Sequence, residues 1–216
     1  MIKLRHLFFL LFIPTIWGSF TSFSGKEKPT KSIKIGKQAP LKDKKLQNID
    51  ANSYSLVDLK KEKGLLVIFS CNTCPFVVGN EKFAGWEVQY NDLSSLADSL
   101  GVGMTLINSN EGKRENEDSF DAMKIRGREK GYTMSYLLDT NSEMADAFGA
   151  KTTPHVYLFD ADLKLVYTGS IDNSWDGQRT EDLPFLENAL KELSNGSKIS
   201  TKESLPRGCS IKRIKK

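Results

Sequence analysis

Two short runs stand out when the chain is read for its alternation of apolar and polar positions. LLVIFS (residues 65–70) and VGMTLIN (102–108) are nearly continuously apolar and of strand length. Such runs suit strands buried on both faces of a sheet. HVYLFD (155–160) and KLVYTGS (164–170) are two further strand-like runs, separated by a tight turn at 161–163, which predicts a hairpin. QNIDANSYSLVDLKKEKG (47–64) reads as a short hairpin and turn, and MSYLLD (134–139) as a short extended segment.

Between these runs the pattern turns helical. After Pro75 an approximate apolar face (Phe83, Trp86, Val88, Leu93, Leu96, Leu100) predicts helix toward residue 100, with Gly79 and Gly85 as points of kink or break. NSNEGKRENEDS (108–119) reads as a charged loop, and Ser119 as the cap of a helix running to about Lys130. Asn141 or Ser142 would cap a helix closed by Gly149. A last helix is predicted over 181–193, with Pro184 in its first turn. The order predicts one α/β domain: a central mixed β-sheet flanked by helices on both faces, parallel in its early strands, with an antiparallel hairpin at one side.

The ends of the chain differ from this body. Lys3 and Arg5 precede the apolar stretch LFFLLFIPTIW, and Ser22-Phe23-Ser24 offers a small-x-small cleavage site. That is the layout of a signal peptide over 1–24, too short for a comfortable membrane span. It predicts a periplasmic or otherwise extracytoplasmic protein. Residues 25–45 are polar and Lys-rich and read as a basic linker, leaving 46–196 as the folded domain. The tail, 197–216, carries seven basic residues against Glu203 alone, whereas residues 25–197 hold 22 basic and 26 acidic residues. The tail reads first as a solvated end and second as a contact for anionic membrane or an acidic partner. It has no aromatic residue on which bases would stack, which argues against nucleic acid as a partner.

Candidate chemistry centres on Cys71 and Cys74, in FSCNTCPF. The pair follows a buried strand and precedes a proline suited to a first helical turn. Unpaired N–H groups at a helix start would stabilise a thiolate, the reactive form. One sulfur could attack a substrate disulfide and the other resolve the intermediate. Two rival readings compete. A structural disulfide is one. The other is a metal site, either zinc held with His155 and Cys209 or, more seriously, Cu(I) held by Cys71, Cys74 and His155. No second ligand pair stands at finger-like spacing, and no resident metal or cofactor is expected. Thr152-Thr153-Pro154 just before HVYLFD places a proline at a strand start, where a cis bond and an ordinary trans loop are both open.

FSCNTCPFV, INSNE, EDSFDAM, GYTMSYLLD, AFGAKTTPHVYLFDADLKLVYTGSIDNS and the terminal GCSIK, spread over residues 35–213, together resemble the thioredoxin-like superfamily. More narrowly they resemble the redoxin group related to alkyl hydroperoxide reductase and peroxiredoxins, with a thioredoxin-type CxxC. The resemblance implies a thioredoxin-like fold and a thiol–disulfide oxidoreductase acting on a protein disulfide or dithiol, served by a redox partner that the sequence leaves unidentified. It implies Cys71 as the exposed nucleophile, Cys74 as the more buried resolving cysteine and Pro154 as a cis-proline facing them. Thr153 would offer backbone groups to an extended substrate strand, and His155 would either reach the site or point into the sheet.

This chain also departs from the pattern. Leu65 stands where thioredoxins often carry a buried acid, which leaves Glu81, Glu87 or water to accept a proton from Cys74. Ile68 stands where peroxiredoxins carry Thr or Ser, and Thr152 where close relatives often have a further cysteine. Arg213 replaces the aromatic residue common after the tail lysine. Cys209 is the odd thiol: a buried anchor for the tail, a third redox residue exchanging with Cys71, or a site of intermolecular pairing. A thiol peroxidase and a Cu(I)-binding chaperone remain the alternative functions.

Overall fold

The computed structural model describes residues 31–214. The predicted signal peptide lies outside them. The elements run β1 (Leu46–Asn48), β2 (Ser53–Tyr54), α1 (Leu56–Leu59), β3 (Gly64–Ser70), α2 (Pro75–Val78), α3 (Tyr90–Ser99), β4 (Val102–Asn108), α4 (Phe120–Glu129) and β5 (Ser135–Leu138). They continue through α5 (Glu143–Phe148), β6 (Thr152–Thr153), β7 (His155–Asp160), β8 (Leu165–Gly169), α6 (Phe185–Ser194) and β9 (Cys209–Ser210).

Seven strands form one mixed sheet in the order β2-β1-β5-β4-β3-β7-β8. β3, β4 and β5 are parallel neighbours, and the β7–β8 hairpin adds antiparallel strands beside β3, as the pattern predicted. Every residue of β3 and β4 is buried, which explains their unbroken apolar runs. Alternation along β3 divides the core. Leu66 and Ile68 face one layer with Leu93 of α3, Met123 of α4 and Leu186 and Leu190 of α6, and Cys71 and Cys74 belong to that layer. Leu65, Val67 and Phe69 face the other with Leu56 of α1 and Met144 and Phe148 of α5. This is a thioredoxin-like α/β fold.

Several local expectations change. The long helix after Pro75 is broken: α2 has a single turn, and helix resumes only with a 3-10 turn at Trp86–Gln89 leading into α3. Gly79 and Gly85 both have φ near +80 to +93°, and their backbones press together; a Cβ on Gly85 would come within 2.3 Å of the Gly79 nitrogen. Ser119 caps α4 as expected, accepting from the Ala122 N–H at 3.2 Å. At α5 the cap comes from elsewhere: Ser142 makes no side-chain cap, and the Asp139 carboxylate accepts the N–H groups of Met144 (2.9 Å) and Ala145 (3.0 Å). The last helix begins at Phe185 with Pro184 as its cap residue.

Both flanks of the domain also need correction. Residues 33–39, expected in a linker, lie along the hairpin. The Gly36 and Ala39 N–H groups donate to Leu165 (2.7 Å) and Leu163 (2.8 Å), and Ile33 and Ile35 pack on the α5 layer. The basic tail is not a free solvated end. Its N–H groups at Ser204 and Ile211 donate to Thr168 (3.1 Å) and Lys151 (3.0 Å), Ile211 is buried, and Arg213 pairs with Asp146 at 2.6 Å. No helix among the described residues is long and apolar enough to cross a membrane.

Candidate redox site

The site assembles where β3 ends. Cys71 follows the last residue of β3, and Cys74 is the cap residue of α2. From the other side comes the loop that joins α5 to β7, in which the Thr153–Pro154 bond is cis. Thr153 meets both cysteines. Its Oγ1 lies 3.1 Å from Cys71 Sγ, and its carbonyl accepts from the Cys74 thiol at 3.0 Å. Thr153 thus brings the two cysteines together beside the cis Thr153–Pro154 bond.

The expected contrast between an exposed and a buried cysteine is not seen: Cys71 is 2% and Cys74 3% exposed. The tail covers them. β9 pairs antiparallel with β6, setting Cys209 opposite Thr153, and the Cys209 N–H donates to Cys74 Sγ at 3.3 Å. Cys209 therefore neighbours Cys74, whereas the redox alternative among its three readings had paired it with Cys71.

The charge state of the pair follows from these contacts. The two thiols share a proton. The Cys74 sulfur is pulled down to about 5, first by the hydrogen bond from the Cys71 thiol and, against burial, by the thiol and N–H of Cys209. Cys71 is pushed up, first because it gives that hydrogen bond, then by burial, then by the negative charge of Asp118. Of the two sulfurs Cys74 is therefore the one these contacts favour as thiolate, and on ionising it gives up its hydrogen bond to the Thr153 carbonyl. Of the helix-start N–H groups expected to act here, that of Phe76 in the one turn of α2 adds a smaller downward pull on Cys74.

Asp118 escaped the sequence reading. It is fully buried and accepts from the Asn72 N–H (2.8 Å), Asn108 Nδ2 (2.8 Å) and Asn110 Nδ2 (2.9 Å). Tyr136 completes the support by donating to Asn72 Oδ1 at 2.9 Å. A buried carboxylate thus lies near Cys71 although position 65 is Leu. Its only sequence signal was EDS at the end of a loop rich in other charges. The two acids proposed from sequence do not serve: Glu81 is exposed, and Glu87 is bound to Arg126 and Tyr132.

His155 points away from the cysteines. It pairs in register with Phe69, which faces the α5 layer, and its ring contacts Tyr157 and Thr168. Strand alternation therefore sends it to the opposite face of the sheet, and burial pulls it down to about 3. The proposed Cys71–Cys74–His155 copper set is not assembled, and no group of three or more metal-ligating side chains occurs among the described residues. A surface depression of about 500 Å³, lined by Ile49, Lys124, Arg128, Tyr132 and Ser135, lies by the start of β5. That is the opposite end of the parallel strands from the dithiol.

A dithiol at a strand-to-helix junction, faced by a cis-proline loop on a mixed sheet, defines a thioredoxin-fold redox protein. The chain belongs to the Redoxin family, whose model matches residues 34–190. It is similar to a solved uncharacterized conserved protein from Geobacillus kaustophilus, with 35% identity and a TM-score of 0.72 over 85% of this chain and 94% of that one. A hypothetical protein from Sinorhizobium meliloti matches at 27% identity and a TM-score of 0.73, over 86% and 98%. Peroxidoxin BcpB from Mycobacterium tuberculosis shares the fold at 13% identity and a TM-score of 0.55, over 76% and 97%. No curated protein matches the chain.

Proposed function

We propose that the protein is an extracytoplasmic thiol–disulfide oxidoreductase that cycles Cys71 and Cys74 between dithiol and disulfide against a protein substrate. The observation that carries this is the convergence of both sulfurs on Thr153, the residue before the cis-proline, at 3.1 and 3.0 Å. An extended substrate strand that paired with the Thr153 backbone would lay its own sulfur beside the dithiol.

The proton relation within the pair supplies the base that the sequence left unnamed. As Cys71 attacks a substrate disulfide, its proton passes to the Cys74 thiolate, a mixed disulfide forms and the first substrate sulfur leaves as thiolate. That leaving thiolate takes the proton from Cys74. Cys74 then attacks Cys71 Sγ, closing the Cys71–Cys74 bond and releasing the second substrate sulfur. The substrate gains two electrons and the protein loses two. Cys71→Ser should abolish insulin-disulfide reduction; full activity in that variant would overturn the assignment. Extracytoplasmic residence rests on the signal-like N-terminus, and cell fractionation tests it.

One contact favours a second reading, a thiol peroxidase. Ile68 offers no hydroxyl, but Thr153 Oγ1 lies against Cys71 Sγ and could stand in for one. The raised Cys71 thiol argues against it, because peroxide chemistry needs the thiolate. Stopped-flow mixing with hydroperoxide should show slow oxidation; a fast Cys71-dependent phase would reverse the order of the two readings.

A further inference from the structure

The tail that covers the dithiol is a built strand. Upstream of Cys209, the Ser170 hydroxyl donates to the Leu205 carbonyl at 2.7 Å, and the Arg207 guanidinium lies 4.3 Å from the Trp175 ring centroid. Gly208 packs directly on Thr153; a Cβ there would come within 2.2 Å of the Thr153 oxygen. Downstream, the Lys212 N–H donates to Asn110 Oδ1 at 2.9 Å and the Lys212 carbonyl accepts from Gly112 at 2.6 Å. Fixed on both sides, β9 takes the backbone edge of Thr153 that the proposed substrate strand would use. Its one reactive side chain is Cys209, which stands opposite Thr153 in register and whose own N–H donates to the Cys74 sulfur at 3.3 Å.

We propose that Cys209 is a third redox residue that exchanges with Cys74, so that the C-terminal strand acts as an internal substrate. The step rests on the oxidoreductase reading for the oxidised Cys71–Cys74 pair. Cys209 Sγ loses its proton and attacks Cys74 Sγ. The Cys74–Cys209 bond forms, the Cys71–Cys74 bond breaks, and Cys71 leaves as a thiolate that takes up a proton. No electrons enter or leave; the disulfide moves. It moves outward, from two buried sulfurs to one shared with Cys209, which is the most exposed of the three thiols. A reductant that cannot reach Cys71 beneath the tail can reach it there. In the reduced protein burial first, and then the neighbouring Cys74 sulfur, push Cys209 up to about 11. The second of these influences weakens once Cys74 is held in a disulfide, when the exchange occurs.

Disulfide mapping tests this on the full chain. The reduced protein is oxidised with diamide, quenched in acid, alkylated, digested and read by mass spectrometry. Wild type should give both Cys71–Cys74 and Cys74–Cys209 bonds. Cys71→Ser should give Cys74–Cys209 in most molecules, and Cys74→Ser no internal bond. Gly208→Val, which lifts the strand from Thr153, should keep Cys71–Cys74 and lose Cys74–Cys209. Oxidised Cys71→Ser with Cys74 and Cys209 unlinked would overturn the proposal, and a Cys71–Cys209 bond in Cys74→Ser would overturn the choice of Cys74 as partner. The map is independent of insulin reduction: a Cys74–Cys209 bond in a protein inert toward insulin would count against the oxidoreductase reading alone.

Discussion

Replacing Asp118 with alanine removes one acceptor group from three buried or part-buried donors: the Asn72 N–H and the side-chain amides of Asn108 and Asn110. A donor stranded without a partner costs about 1–3 kcal/mol, so the three together should cost about 3–9 kcal/mol. That is a large part of the roughly 5–15 kcal/mol that holds a domain folded. Asp118→Asn separates charge from hydrogen bonding. One oxygen stays for Asn72 and Asn108, but the new amide nitrogen faces the Asn110 nitrogen. Turning Asn110 over would relieve that clash at the loss of its bond from the Lys212 N–H, one of the fastenings of the tail. The asparagine variant should therefore be destabilised by about 1–3 kcal/mol. It should also label faster at Cys71, because the carboxylate that opposes ionisation there has gone. Urea unfolding gives the first quantity, and maleimide labelling of the reduced protein at fixed pH gives the second. An alanine variant within 1 kcal/mol of wild type, or an asparagine variant whose Cys71 labels more slowly, would refute this account of Asp118.

Three further outcomes are expected. Thiolate absorbance of the reduced protein near 240 nm should rise through a midpoint near 5, and the stability held by the Cys74 thiolate, full above about 9, should fade as pH falls from there toward 5; a midpoint near the ordinary thiol value would contradict the shared proton. Glu87→Gln should cost about 2–4 kcal/mol in urea, since it leaves Arg126 and Tyr132 without their buried carboxylate, while leaving the thiol titration unmoved; a shifted titration would restore Glu87 as a proton acceptor. His155 stays neutral when folded but takes a proton when unfolded below its ordinary pKa, so wild type should lose stability as pH falls from about 6.5 toward 3. His155→Phe should flatten that limb in acid-unfolding curves, and an unchanged limb would show that other groups carry it.

The sheet was legible because its signal is local. β3 and β4 are apolar at every position except Gly, Ser, Thr and Asn, and the β7–β8 turn is short. The dithiol and Thr153-Pro154 were legible as sequence neighbours of predicted strands. Asp118 was hidden because burial of one acid among six charges in a loop depends on Asn72, Asn108 and Asn110 arriving around it, a tertiary event with no periodic trace. The direction of His155 was left open because its face of the sheet is set by register with Phe69, which no single strand encodes. The tail deceived for a related reason: its charge suggests solvent, while its docking uses backbone groups and a glycine, which composition does not weigh.

The β8 edge carries a consequence of its own. It is the last strand of the sheet, and unpaired strand edges recruit other chains. Here two remote segments occupy it. Gln38 bridges to Lys164 near its start, and Glu203 bridges to Thr168 near its end. The flanks that look like connecting polypeptide thus cover part of an edge open to strand pairing, and the C-terminal one goes on to occupy the edge at Thr153, where main-chain pairing and sulfur chemistry meet.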